Sequence, residues 1–200
     1  MSQGDPQRSI EEAELLSRSP AAMLELSLKV QYRNMEDALN QSYEAFKQSE
    51  TSDDRFPYEL PLRLHIFCYE VWTDLLAFQR NKPEGFARVI ALKALIHRLV
   101  EFNRHLDEYL IPKMLAYAEK RKRAFTEEDA RSMRKRWRAM FKQLDRWKKI
   151  RNKTTGHYDP DAASVVALLE GIDLADIHRT MMSFIDYGVE LTNRVTSSRY

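Results

Sequence analysis

Two residues near position 150 have the types that phosphate chemistry uses. In the segment WKKIRNKTTGHYDP, Trp147 to Pro160, Arg151 is followed at once by Asn152 and, six residues on, by His157. A guanidinium is permanently charged and can stabilise negative charge building on phosphorus oxygens. An imidazole titrates near neutrality, so it can take or give a proton. On a straight helix the two would not meet: six residues turn through roughly 600°, leaving the side chains about 120° apart. They converge if the chain bends at Thr154, Thr155 and Gly156, all poor helix formers, or if a second copy of the chain supplies one of them.

The position of Arg151 is itself informative. Met133, Trp137, Met140, Leu144 and Trp147 are spaced four, three, four, three, which makes one apolar seam along a basic helix. The next place in that series is Arg151. Its side chain therefore points where a core or an interface belongs, and a guanidinium buried there without a partner is costly. The plainer alternative is that Arg151 ends the helix, reaches to water and favours the negative end of the macrodipole.

A second set has metal-ligand types. His97, Glu101 and His105 recur at four-residue steps on one helix face, with Glu108 close behind. No matching Glu-x-x-His pair faces them from another helix, and Arg98, Arg104 and Asp107 nearby suggest a solvated face. Cys68 is the only cysteine, which excludes an intrachain disulfide and a cysteine-based zinc site. Within LHIFCYEVW it reads as a small buried apolar residue.

These residues sit in a chain whose composition is that of a soluble globular protein, with 44% hydrophobic and 31% charged residues in 200. Five Gly and seven Pro leave little material for the turns of an all-β fold. No apolar run approaches the ~20 residues needed to span a bilayer. The N-terminus lacks a hydrophobic signal region, so a cytoplasmic location without membrane contact is expected. The net charge of +2 is unevenly spread: between Arg131 and Lys153 the only acid is Asp145. That asymmetry points to an anionic partner such as nucleic acid. A DNA-binding reading lacks a recognisable helix-turn-helix spacing, and tryptophans in the seam suit a core better than base stacking.

Hydrophobic periodicity predicts an all-α, up-and-down helical bundle with an N-terminal helical extension. Residues 1–19 read as a flexible start with a short helix, opened by the capping box Ser9-Ile-Glu-Glu12. Residues 20–196 read as one domain. Ser19-Pro20 opens a helix with the stripe Leu24, Leu28, Tyr32, Met35, Leu39, Tyr43 and Phe46. A second helix from about Pro61 to Arg80 is apolar over a wide arc and should be central. A third carries Val89, Leu92, Ile96, Leu99, Leu106 and Leu110, with Pro112 bending or ending it. Thr126 to Asp129 caps the basic helix. Gly171 closes a short helix with AASVVALLEG, and Asp173 starts the last one. There Gly188 lies between Phe184 and Leu191, where it would let a neighbouring helix come close.

Arg151, Asn152 and His157 together resemble the signature of the HEPN superfamily: an Arg, usually followed by Asn, Asp or His, then a His after four to six residues, near a helix end late in an all-α bundle. IRNKTTGHYD is especially similar to forms found in HEPN proteins linked to abortive infection and phage defence. The motif covers about ten residues; the helical arrangement extends more loosely from Pro20 to Val195. Two features depart from the pattern. Gly156 precedes the His where Ala is commoner. Asp159 occupies the place of a Tyr that is modified in HEPN toxins paired with a nucleotidyltransferase antitoxin, so that regulation does not carry over.

The resemblance implies a metal-independent, cofactor-free endoribonuclease. RNA supplies the nucleophile as its own 2′-hydroxyl, and the products are a 2′,3′-cyclic phosphate and a 5′-hydroxyl. Arg151 and His157 would be catalytic, and Asn152 would orient the His or the phosphate. Arg146, Lys149 and Lys153 would contact backbone phosphates, giving affinity and salt dependence without sequence choice. The implied partners are RNA, a second subunit whose motif shares the cleft, and an antitoxin or other regulatory protein. The rival expectation within the same family is a helical protein that binds RNA or protein without cutting.

Overall fold

A computed structural model of the chain describes residues 20–49, 55–154 and 162–197. The capping box at Ser9–Glu12, the cap at Ser19, and Thr155, Gly156 and His157 lie outside the described residues. Those that are described form α1 (Pro20–Gln48), α2 (Phe56–Asn81), α3 (Gly85–His105), a π-helical turn (Leu106–Leu110), α4 (Ile111–Lys120), α5 (Glu127–Arg136), α6 (Arg138–Thr154), α7 (Ala162–Glu170) and α8 (Leu174–Ser197). No strand occurs among them. None of these helices is long and apolar enough to cross a membrane. The chain is an all-α helical bundle.

Contacts between sequence neighbours fix its up-and-down course. Tyr32 meets Tyr69 while Arg55 lies over the ring of Phe46, so α1 and α2 are antiparallel. Phe67 stacks on Phe102 at 4.2 Å and Arg98 pairs with Glu70, so α2 and α3 are antiparallel too. α6 packs along α3, with Arg151 paired to Glu101 near the C-terminal end of α3, while Arg134 at the end of α5 pairs with Asp107 in the π turn. α8 closes the bundle through Phe184 against Phe67.

α2 packs on α1, α3 and α8, as its wide apolar arc predicts, but α3 is the hub, touching α2, α6, α7 and α8. Leu92, Leu95, Ile96, Leu99 and Val100 are all sealed from solvent. Cys68 is buried, and burial pushes its thiol up to about 12, which removes it as a reactive group.

Several helix ends follow the sequence. The Thr126 side chain accepts from Asp129 N–H at 3.2 Å while Asp129 accepts from Thr126 N–H at 2.9 Å, a complete capping box. Asp173 accepts from Ala175 N–H at 3.2 Å at the start of α8. Two expectations need correction. α2 begins at Phe56, five residues before Pro61, because Pro57 fits the first turn and Pro61 costs one further hydrogen bond only. Pro112 does not end the third helical stretch. The π turn ahead of it lets Ile111 N–H bond to Leu106 O, five residues back, and the helix runs on as α4.

Candidate active site around Arg151

The basic helix read as one is two, α5 and α6, broken at Trp137, and from Met140 onward the apolar seam leads to Arg151. Met140, Leu144, Trp147 and Ile150 are buried on the inner side of α6. Arg151, one turn beyond Trp147, is half-buried, with 27% of its side chain exposed. The partner that its charge demands is Glu101 on α3, in ionic contact through Oε1. That oxygen is shut off from solvent and receives no well-directed hydrogen bond, so the contact is one of charge. Arg151 also donates to Asn152 Oδ1 at 2.8 Å. Glu101 Oε2 accepts from Arg104 at 2.7 Å. One carboxylate thus holds two guanidiniums, one on α6 and one on its own helix.

The other site residues are not gathered there. α6 remains helical through Thr154, so a bend toward His157 does not begin before that residue, and His157 itself lies outside the described part. Asn152 is exposed beside Arg151. Arg146, Lys149 and Lys153 are all exposed. On the helix they are roughly 140–160° away from Arg151, so they share an outer face with Arg138 and Lys142. Asp145, the one acid of α6, turns to Lys148 at 2.8 Å.

An open cleft of about 520 Å³ lies between α2 and α3. Arg63 and Glu70 line it from α2; His97, Arg98, Glu101 and Arg104 line it from α3. Phe67, Phe102 and Tyr109 supply aromatic surface. His97, Glu101, His105 and Glu108, the set with metal-ligand types, thus face a cleft instead of open solvent. Of these four, Glu101 is held by ion pairs and His105 by a hydrogen bond. No group of three or more His, Cys, Asp or Glu among the described residues is placed to hold a metal. Guanidiniums occupy Glu101. Arg63 Nη1 lies 3.3 Å from His105 Nε2, which makes that nitrogen the acceptor and puts the imidazole proton on Nδ1.

The surroundings favour the neutral form of His105. Burial lowers its affinity for a proton, and Arg63 and Lys113 oppose a further positive charge; Glu59 works the other way. The ring also stacks against Tyr109 at 5.0 Å. Glu59 is held by Arg63 at 2.7 Å and Lys113 at 3.2 Å. Burial alone would raise its pKa, but those hydrogen bonds and charges bring it below the usual carboxylate range.

Sequence reasoning missed the cleft and the partner of Arg151 alike. Both arise from helices that lie far apart in the chain. The four-residue spacing of His97, Glu101 and His105 marked one helix face, which read as solvated and in the fold lines the cleft. No family model, curated protein or solved structure matches this chain.

Proposed function

We propose that the protein is a metal-independent endoribonuclease of HEPN type, acting in the cytoplasm through Arg151, His157 and Asn152. One observation carries the reading: Arg151 ends a buried seam, half-buried and held by Glu101, inside an Arg-Asn…His motif. A guanidinium fixed in that way is pre-organised to meet charge, which is where such donors act most strongly. In the reaction the 2′-oxygen bonds to the adjacent phosphorus and the P–O5′ bond breaks. His157 accepts the 2′-hydroxyl proton and, once protonated, gives it to the departing 5′-oxygen. Arg151 stabilises the charge on the non-bridging oxygens. The roughly 120° between Arg151 and His157 on an unbent helix supports a homodimer in which two motifs share one groove. The resemblance extends the proposal to a toxin or phage-defence role with an antitoxin or other regulatory partner.

The test is incubation of the purified protein with single-stranded RNA in EDTA, beside Arg151→Ala and His157→Ala. Wild type is expected to yield 2′,3′-cyclic phosphate ends and to spare DNA, with each variant reduced at least about 100-fold. Equal cleavage by all three proteins would reject the proposal. A second reading, an RNA-binding protein that does not cut, draws support from Glu101, which already compensates the charge of Arg151. RNA bound tightly but left intact would favour it.

A further inference from the structure

The outer basic face of α6 is a poor path to the motif on the same helix. Arg146, Lys149 and Lys153 point away from Arg151, so a strand lying across them passes behind the reacting group. The cleft between α2 and α3 is on the correct side. Its wall residue Glu101 touches Arg151 directly, and the same carboxylate holds Arg104 at the rim.

The cleft also has the chemistry of a nucleotide unit. Its apolar surface is formed by Ile66, Phe102 and Tyr109, and Ile66 is 42% exposed although strongly apolar. Arg104 is 52% exposed and gives one hydrogen bond, to Glu101. A guanidinium has five N–H donors, so one bond leaves most of its capacity for a ligand. Arg98 is more committed, with Asp74 and Glu70 already on it. His97 Nδ1 is buried in the wall without a hydrogen-bond partner. A volume of about 520 Å³ suits one small ligand unit and is far too small for a duplex. Sequence-tolerant recognition of RNA commonly splays an unpaired base onto aromatic surface while cations hold its phosphate.

We infer that this cleft binds an unpaired nucleotide of the RNA next to the scissile phosphate, its base against Ile66, Phe102 and Tyr109 and its phosphate on Arg104. The inference rests on the nuclease reading for the cut but not for the binding. It makes the substrate class single-stranded RNA, or a loop, with at least one unstacked base beside the cut.

The experiment compares wild type with Arg104→Ala, Ile66→Asp and the outer-face pair Arg138→Ala/Lys142→Ala. Each is measured for anisotropy with a fluorescent single-stranded RNA, and for KM and kcat on the same RNA. Both cleft residues are exposed enough for the fold to survive, and circular dichroism checks it. Arg104→Ala and Ile66→Asp are expected to weaken binding and raise KM about tenfold, with kcat changed less; the outer-face pair should shift either by about twofold at most. A blunt-ended RNA duplex without unpaired bases is expected to compete poorly.

Cleft variants that bind like wild type while the outer-face pair loses the RNA would overturn the inference, and would do so even where Arg151→Ala abolishes cleavage. Cleft-dependent binding by a protein that never cuts would leave the inference standing and remove the nuclease reading. Displacement of RNA by an equal concentration of 5′-AMP would assign the cleft to free nucleotides and overturn its role in the RNA path.

Discussion

Arg151 and Glu101 divide what a sequence can tell from what it cannot. The four-three seam places Arg151 inward, and a charge placed inward needs an opposite charge. Which carboxylate answers it is decided fifty residues earlier, on α3, where Glu101 looked like one of several metal-ligand types. Its two oxygens serve Arg104 and Arg151, so its removal should be felt at both. Glu101→Gln keeps the shape and deletes the charge. Arg151 then loses its orienting partner, and the expected result is a kcat about tenfold lower. With one negative charge fewer beside the cleft, KM for RNA should fall in the same variant. A carboxylate with a merely structural role would lower the amount of folded protein and leave both constants of the remaining enzyme unchanged, so steady-state kinetics on protein of checked folded fraction separates the two.

At the scale of elements, ends were more legible than continuations. Thr126 with Asp129, Gly171 and Asp173 are local signals, readable because a cap depends on residues within one turn. The passage through Pro112 is different. It depends on a change of hydrogen-bond register in the preceding turn, with Leu106 and Leu110 anchored in the core, and no single residue announces that. Gly188 lies between these cases. Its position suggested a close approach, and α2 does come close: a Cβ there would sit 2.7 Å from Leu64 Cδ1. Leu64 is buried, so the methyl cannot swing into solvent. Gly188→Ala gains helix propensity of about 1 kcal/mol but overpacks the α2–α8 seam, for an expected net loss of about 1 kcal/mol. In a Leu64→Ala background the same change should be neutral or stabilising, a coupling of about 1–2 kcal/mol in urea unfolding. Strictly additive losses would mean that the close contact is not what Gly188 provides.

For the molecule as a whole, periodicity made the all-α class and antiparallel order readable, whereas the pairing of charges across helices was not. That pairing sets how stability responds to acid. His65 and His105 both have pKa values below the ordinary 6.5, chiefly because burial disfavours the charged ring. A backbone hydrogen bond at Ala38 partly offsets this for His65, and Glu59 does so for His105, against Arg63 and Lys113. Unfolded chains therefore bind more protons than folded ones just below pH 6.5, and stability must fall as pH drops through that window. Glu59 acts in the same direction lower down. Its carboxyl lies below its ordinary 4.5 because Arg63 and Lys113 hold it, so the stability it contributes is present above 4.5 and lost as pH falls through its folded value. The urea midpoint should decline from pH 7.5 to 5.5 and again below 4.5. His65→Gln/His105→Gln should flatten the first decline and leave the second. A midpoint that rises on going from pH 7.5 to 5.5 would show that the imidazoles gain protons more readily in the folded bundle, opposite to what burial beside Arg63 and Lys113 requires.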